Sequence, residues 1–308
     1  MTTTTPAPPR TAPPTTKPSA GRRLRSWFAN PWGRPRFLVL ITWTYMIWAI
    51  VPVLIAVQYS FNDSRSRTIW AGFSTRWYIS DPSSVINDPT LSSALQQSLK
   101  LAAADVIIAT PIGVLLALGL ARWRGRGSGT SNFIMLFPLV TPEIVMGVSL
   151  LLVFTNLFTF IHTGTFAQIL GHVTFSISYV VVIVRGRLFS IGRQYEEAAA
   201  DLGASPPVAL VKVLLPLLTP AIFASVALVF ADTVDDFVTV QALSAGSTSQ
   251  TLAMKIYSAA RASPTPEVNA AATVMLISTL LVIAGGVLFY KRFSKGQELG
   301  GATDFAQL

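Results

Sequence analysis

The sequence predicts an all-α, polytopic membrane protein with about six transmembrane helices, and three observations lead there. Only 12% of the 308 residues are charged, about half the ~25% of an ordinary soluble domain. Long apolar runs recur along most of the chain. The basic residues gather between those runs rather than within them, as expected of a chain anchored at membrane surfaces.

The elements follow in order. Residues 1–36 begin rich in Thr, Pro and Ala and end basic, with Arg22, Arg23, Arg25, Arg34 and Arg36. They hold too few aromatic and branched side chains to offset the entropy of ordering, so they are expected to form a disordered cytoplasmic tail. The next apolar run is too long for the core of a cleaved signal peptide and is expected to be a retained helix. A hydrocarbon layer of about 30 Å requires about 20 helical residues. Six windows satisfy this: Phe37–Val57, Leu99–Leu120, Asn132–Phe154, Phe166–Val184, Leu217–Val240 and Val268–Tyr290. The fourth is the least hydrophobic, with His172, Ser176 and Ser178, and is expected to face other helices. The membrane domain thus covers residues 37–290, and 291–308 form a short cytoplasmic tail. With the N-terminus inside, 17 of the 23 Lys and Arg residues fall on the inner side, so both termini are expected in the cytoplasm. Trp123 and Tyr290 suit the interfacial belt, and ordinary packing suits each equally well. The long outer segment from Gln58 to Ala94 is expected to pack over the outer mouth, and Thr251–Ala260 to form a short helix near the outer surface.

Composition also excludes. The net charge of +9 is spread between apolar runs and makes no basic face for nucleic acid. No cysteine is present, and His162 and His172 are too few and too far apart for a metal cluster. No G-x-x-x-x-G-K-[ST] loop occurs, so any ATP must be held by a partner. Neither histidine belongs to an apparent catalytic arrangement.

Five carboxylates, Asp105, Glu143, Asp232, Asp235 and Asp236, fall inside the windows. A charge at mid-bilayer costs about 2.5–3.5 kcal/mol on insertion scales, so each needs a cavity or a partner. Lys100 and His172 are the only basic groups near those depths, and an acidic excess of this kind suggests a path for cations. Asp232, Asp235 and Asp236 share a helical face by their spacing. Glu143 lies near the middle of the third window beside Pro138 and Pro142, which interrupt backbone bonding and widen a cavity. Tyr179, Phe237 and Tyr257 are candidate walls by cation–π contact. The alternative for each carboxylate is a structural hydrogen bond or an ion pair with a partner chain, and for each aromatic it is plain packing.

The connection 186–216 is the most informative. Residues 194–202 favour helix, Gly203 suits the position just past a helix end, Ser205 suits an N-cap, and Pro206 suits a first turn. Within it stand Glu197-Ala198-Ala199, then Gly203 after three residues, then Val213-Leu214-Leu215-Pro216. This resembles the E-A-A-x3-G-x9-I-x-L-P motif of the permease subunits of ATP-driven ABC importers, with Val213 in place of Ile. The resemblance implies a MetI-like fold and a short helix that docks on an ATPase through Glu196, Glu197, Ala198, Ala199, Gly203, Ala204, Ser205 and Pro216. It also implies no cofactor on this chain, with ATP and Mg on partner ATPases and hydrolysis there. The partners would be a second permease subunit, two ATP-binding cassette subunits, an extracytoplasmic solute-binding protein and membrane lipids, with no nucleic acid. The location would be a bacterial plasma (inner) membrane.

A narrower resemblance, to the second permease of spermidine/putrescine-type importers, rests on Tyr59-Ser-Phe-Asn62, Pro142-Glu-Ile-Val-Met146, Val234-Asp-Asp-Phe-Val238, Lys255-Ile-Tyr-Ser258 and Pro266-Glu-Val-Asn-Ala270. Thr141-Pro142-Glu143 stands where that family has Ser-Pro-Asp. It implies a polyamine or related small cation as cargo, with Glu143, Asp235, Asp236, Tyr179 and Phe237 along its path. Open alternatives are a permease for another small solute, such as iron or phosphonate, and an ATP-independent transporter or channel. Lys255, Tyr257 and Ser258 either meet the external binding protein or belong to a solvated outer helix.

Overall fold

The computed structural model describes residues 36–66, 69–123, 125–262 and 265–293. The expected tails at 1–36 and 291–308 lie outside these residues, except for the helical ends at Arg36 and 291–293. The chain divides into two compact units, Met1–Leu54 and Ile55–Leu308. The first contributes most of α1, Arg36–Ser60, a nearly unbroken apolar helix that carries Pro52. Its 25 residues span about 37 Å at 1.5 Å each, enough to cross a bilayer.

The second unit continues with α2 (Pro89–Arg122), α3 (Ser128–Val140), α4 (Glu143–Asn156) and α5 (Thr165–Ile191). After these come α6 (Gln194–Asp201), α7 (Pro206–Ala209), a π-helical turn (Leu210–Leu214) and α8 (Leu215–Asp235). The chain ends with α9 (Val238–Ala242), a 3-10 turn (Gly246–Ser249), α10 (Leu252–Ala262) and α11 (Pro266–Phe293). Among the described residues five helices are long and apolar enough to cross a membrane, and α3 with α4, bent by 107° at the break between them, pass the same test only as a pair.

Local chemistry sets these boundaries. Asp88 caps α2, its side chain accepting the backbone N–H groups of Thr90 and Leu91, with Pro89 in the first turn. The π turn precedes Pro216, whose ring would press on the carbonyl of Lys212 in a regular helix. A wider turn, with Leu215 N–H donating to the Leu210 carbonyl, relieves that crowding.

The core lies where α2, α5 and α8 meet. Val114 and Ala117 of α2 pack with Val180, Val181, Val184 and Leu188 of α5 and with Leu217, Leu218 and Val229 of α8. Gly113 permits the closest approach, since a β-carbon there would fall 2.5 Å from the Val180 β-carbon. Small residues at such crossings let backbones meet where lipid supplies no hydrophobic driving force. Ile107 and Leu115 of α2 remain exposed, as a lipid-facing stripe requires.

A polar knot lies at one end of this core. Gln168, fully buried, donates to the carbonyls of Val240 (3.0 Å) and Ser249 (2.9 Å). It accepts from Gln97 Nε2 at 3.1 Å, and Gln97 also reaches Thr165 Oγ1 at 2.8 Å. One amide thereby ties α2, α5, α9 and the 3-10 turn together.

The segment between α1 and α2 folds on itself around Asn62 and Trp77. Asn62 Nδ2 donates to the carbonyl of Ile69, Asn62 Oδ1 accepts from the Ala71 N–H, and Trp77 Nε1 donates to the Asn62 carbonyl. The Arg76 guanidinium lies 4.4 Å from the Trp77 ring centre and bonds Asp81 at 3.0 Å. The Ser83 backbone N–H, followed by Arg76, holds the Asp81 carboxyl below its usual range against the opposing effect of partial burial. Thr251–Ala260, expected as a short helix, corresponds to α10.

Gln168→Leu should cost about 1–3 kcal/mol, because it strands two buried carbonyls; denaturation of the purified protein in detergent measures this. Asp81 gains its partners on folding, so its contribution is present above its unfolded pKa of about 3.9 and is lost as pH falls through the lowered folded value. The stability gap between wild type and Asp81→Asn should therefore narrow below about pH 4, as followed by tryptophan fluorescence.

Candidate functional site

Two helix breaks build the first site. At Thr141–Pro142 the proline forces its predecessor into an extended conformation, and Thr141 ends α3 at ψ 128°. The chain turns and α4 begins at Glu143, with its carboxylate in the first turn, where the helix dipole favours negative charge. Glu143 is thus at a corner, not in the middle of one continuous span from Asn132 to Phe154 as the sequence suggested. At the far end α8 stops at Asp235, and Asp236 is extended, with ψ 124°. The expected window Leu217–Val240 is therefore two helices. Asp236 has left the helical face that spacing alone assigned it with Asp232 and Asp235, because its Oδ1 accepts the Thr239 N–H at 3.1 Å and helps start α9.

The corners face a cavity of about 410 Å³ whose lining includes Glu143, His172, Phe175, Asp232, Asp235, Asp236 and Phe237. Glu143 and Asp235 are exposed, whereas Asp232 and Asp236 are half-buried. His172 is buried, with Nε2 3.6 Å from Asp236 Oδ2. Phe237 stacks on Tyr257 of α10 with ring centres 3.9 Å apart, and the Arg261 guanidinium lies 4.7 Å from the Tyr257 centre and donates to the Tyr257 hydroxyl. Four carboxylates, two phenyl rings and one imidazole make a surface suited to a small organic cation.

Tyr179 stands outside the lining, edge-on to Phe175 at 5.0 Å. Asp105 is sealed in the core, where its Oδ2 accepts from Ser176 at 2.6 Å and Thr233 at 2.8 Å. Among the described residues no group of three or more His, Cys, Asp or Glu side chains is placed to hold a metal ion.

The second site is the hairpin of α6 and α7. Gly203 has φ +80°, its N–H donates to the Ala200 carbonyl, and the Ala204 N–H donates to the Ala199 carbonyl. That pair of bonds ends a helix in a left-handed residue, and glycine occupies it without strain. Ser205 holds the N-cap position of α7 through its backbone alone, with no side-chain cap bond, and Pro206 follows in the first turn. Glu197, Ala198, Ser205 and Pro216 are exposed, and Ala199 is buried. Glu196 instead turns inward and pairs with Arg122 at the end of α2. These two residues border a second cavity of about 520 Å³ that Arg193, Glu197, Ala204 and Pro206 also line.

Residues 109–298 match the family described as "Binding-protein-dependent transport system inner membrane component". The spermidine/putrescine transport system permease protein PotC of Escherichia coli (strain K12) is 37% identical over 246 residues, covering 80% of this chain and 90% of that protein. The chain belongs to this family of inner-membrane transport components. The putrescine transport system permease protein PotI of the same organism is 38% identical over 252 residues, covering 80% of this chain and 86% of that one. Among solved structures, a bacterial alginate ABC transporter in complex with an alginate pentasaccharide-bound periplasmic protein matches with a TM-score of 0.68 at 15% identity, over 89% of this chain and 98% of that one. At that identity the likeness shows a shared fold.

In this permease, sequence reasoning missed Phe175 as a wall and Glu196 as an internal tether. The i+4 spacing of Phe175 and Tyr179 was the available signal for the first; nothing in the sequence pointed to Arg122 for the second. Leu202, 90% exposed at the tip of the hairpin, was also missed. Gly203→Val should cost about 1–2 kcal/mol locally, because a left-handed residue with a β-carbon is strained. Limited proteolysis should then cut the 194–209 hairpin of the purified permease faster than in wild type.

Proposed function

We propose that this chain is a transmembrane permease subunit of an ATP-driven importer that carries polyamines or related small diamines into the cytoplasm. The observation that carries the reading is the convergence of Glu143, Asp232, Asp235 and Asp236 on one cavity walled by Phe175 and Phe237. A polyamine combines separated ammonium groups with apolar methylene stems, and separated carboxylates with aromatic faces match both parts. The spermidine and putrescine named for PotC and PotI support the same cargo.

In this proposal a second, similar permease closes the exposed side of the cavity, and an extracytoplasmic binding protein delivers cargo at that end. Two ATP-binding cassette subunits hold ATP and Mg²⁺ and perform hydrolysis, while both termini of this chain lie in the cytoplasm. The α6–α7 hairpin is the dock. Glu197, Ala198 and Leu202 present a small exposed surface to the ATPase, and the Glu196–Arg122 pair fastens the dock to α2. When the ATPases close around ATP, the hairpin moves as a rigid body, and α8 carries that motion to the carboxylates at its other end.

Asp236→Asn keeps an oxygen to cap α9 but removes the charge, so it separates electrostatics from folding. In the reconstituted transporter, Asp236→Asn and Glu143→Gln should each raise the KM for putrescine by about tenfold, equivalent to about 1.4 kcal/mol. Uptake indistinguishable from wild type in both variants overturns the cation-path reading.

A further inference from the structure

His172 is an unusual group to bury beside carboxylates. It is only 3% exposed, it lines the acidic cavity, and its Nε2 has no hydrogen-bond partner among the described residues. A buried polar atom without a partner is costly, so a site that keeps one points to something that arrives to satisfy it. Asp236 Oδ2, a carboxylate oxygen, is 3.6 Å away, beyond the ~3.2 Å limit of an ordinary N–H···O bond.

That separation matches a bridging donor. A nitrogen about 2.9 Å from both atoms sits at the apex of a narrow triangle over them. A primary ammonium has three diverging N–H groups and no acceptor, so it can give one to each atom and keep one for a third oxygen. We propose that His172 and Asp236 together form the seat for one primary ammonium group of the cargo, with the imidazole neutral, its proton on Nδ1 and Nε2 accepting. The assignment rests on the polyamine reading above and deepens it by naming a specificity-determining residue.

Other features make the seat rigid. Asp236 Oδ1 is committed to the Thr239 N–H, which leaves Oδ2 as the oxygen that faces His172. One turn before His172 on α5, Gln168 is locked to the Val240 and Ser249 carbonyls; one turn after, Ser176 donates to buried Asp105. The imidazole is thus held between two fixed points. Asp232, Asp235 and Glu143 remain along the same cavity for a second ammonium. A cation without N–H groups has nothing to donate to Nε2, so the seat prefers primary amines over quaternary ones.

The test uses the whole transporter, with its partner permease, ATPases and binding protein, in proteoliposomes with radiolabelled putrescine. His172→Phe keeps bulk but removes the acceptor, and should raise KM by about tenfold while kcat stays within about twofold, as expected when a hydrogen bond to bound cargo is lost. His172→Gln restores an acceptor and should return KM to within about threefold of wild type. His172→Lys places the chain's own ammonium beside Asp236 and should raise KM at least as much as Phe. An unchanged KM in His172→Phe overturns the seat, as does a Gln variant as impaired as Phe. Should the Phe variant fail to co-purify with its partners, Gln against Lys decides: a large difference supports the seat and equal values overturn it. Normal His172→Phe uptake with impaired Asp236→Asn and Glu143→Gln rejects the seat alone, whereas wild type that takes up no putrescine rejects the polyamine reading with it.

Discussion

Inside a bilayer a helix can stop only where its freed backbone groups find partners or line a polar cavity. The rest of this structure depends on that constraint. The two breaks that border the cavity, at Thr141–Pro142 and at Asp235–Asp236, each satisfy themselves locally. The Pro142 carbonyl accepts from Val145 and Met146, and the Asp236 side chain accepts from Thr239. Both corners carry carboxylates, and both open on the same space. The acidic cavity is thus the place where two interrupted helices meet, and the breaks supply its charge, its width and its shape together.

The two sites sit at opposite ends of α8. Its 21 residues extend about 31 Å at 1.5 Å each, close to the thickness of a hydrocarbon layer. The hairpin joins one end through the π turn, and Asp232 and Asp235 occupy the other. The α2–α5 core clamps α8 from its first turn, at Leu217 and Leu218, to Val229 in its second half, all three buried. A displacement at the hairpin therefore meets a stiff rod seated in a packed groove, not a flexible linker.

Much of this was legible in the sequence, for reasons that differ by element. Apolar length is a one-dimensional property, so the spans could be read directly, and turn chemistry at Gly203 and Pro206 is local, so the hairpin could be read too. Direction is not one-dimensional. A hydropathy window runs straight through Thr141–Pro142 because both half-helices are apolar, and it hides a 107° bend. Helical spacing likewise carried Asp236 onto a face that the chain has already left. Glu143, Asp235, Asp236 and Phe237 were nominated together as a cargo path, and the structure brings them to one cavity; Tyr179 was nominated with them and lies outside its lining. Gln97 and Gln168, 71 positions apart, look like ordinary polar residues until packing joins them.

The wide turn at Leu210–Leu214 has a consequence for the whole second half of the chain. A π turn takes in more residues than an α turn over the same arc, so each residue beyond it is offset in angle by about 100° from where an unbroken α-helix would put it. The carboxylates at the end of α8 face inward only in that phase. Deleting a single residue between 210 and 214 would let the turn relax to ideal geometry and keep that phase, whereas relaxing the turn with every residue retained would swing Asp232 and Asp235 by about 100° toward a different neighbour. The winding of the turn at the hairpin end thereby governs the compass bearing of charges about 31 Å away along the helix axis.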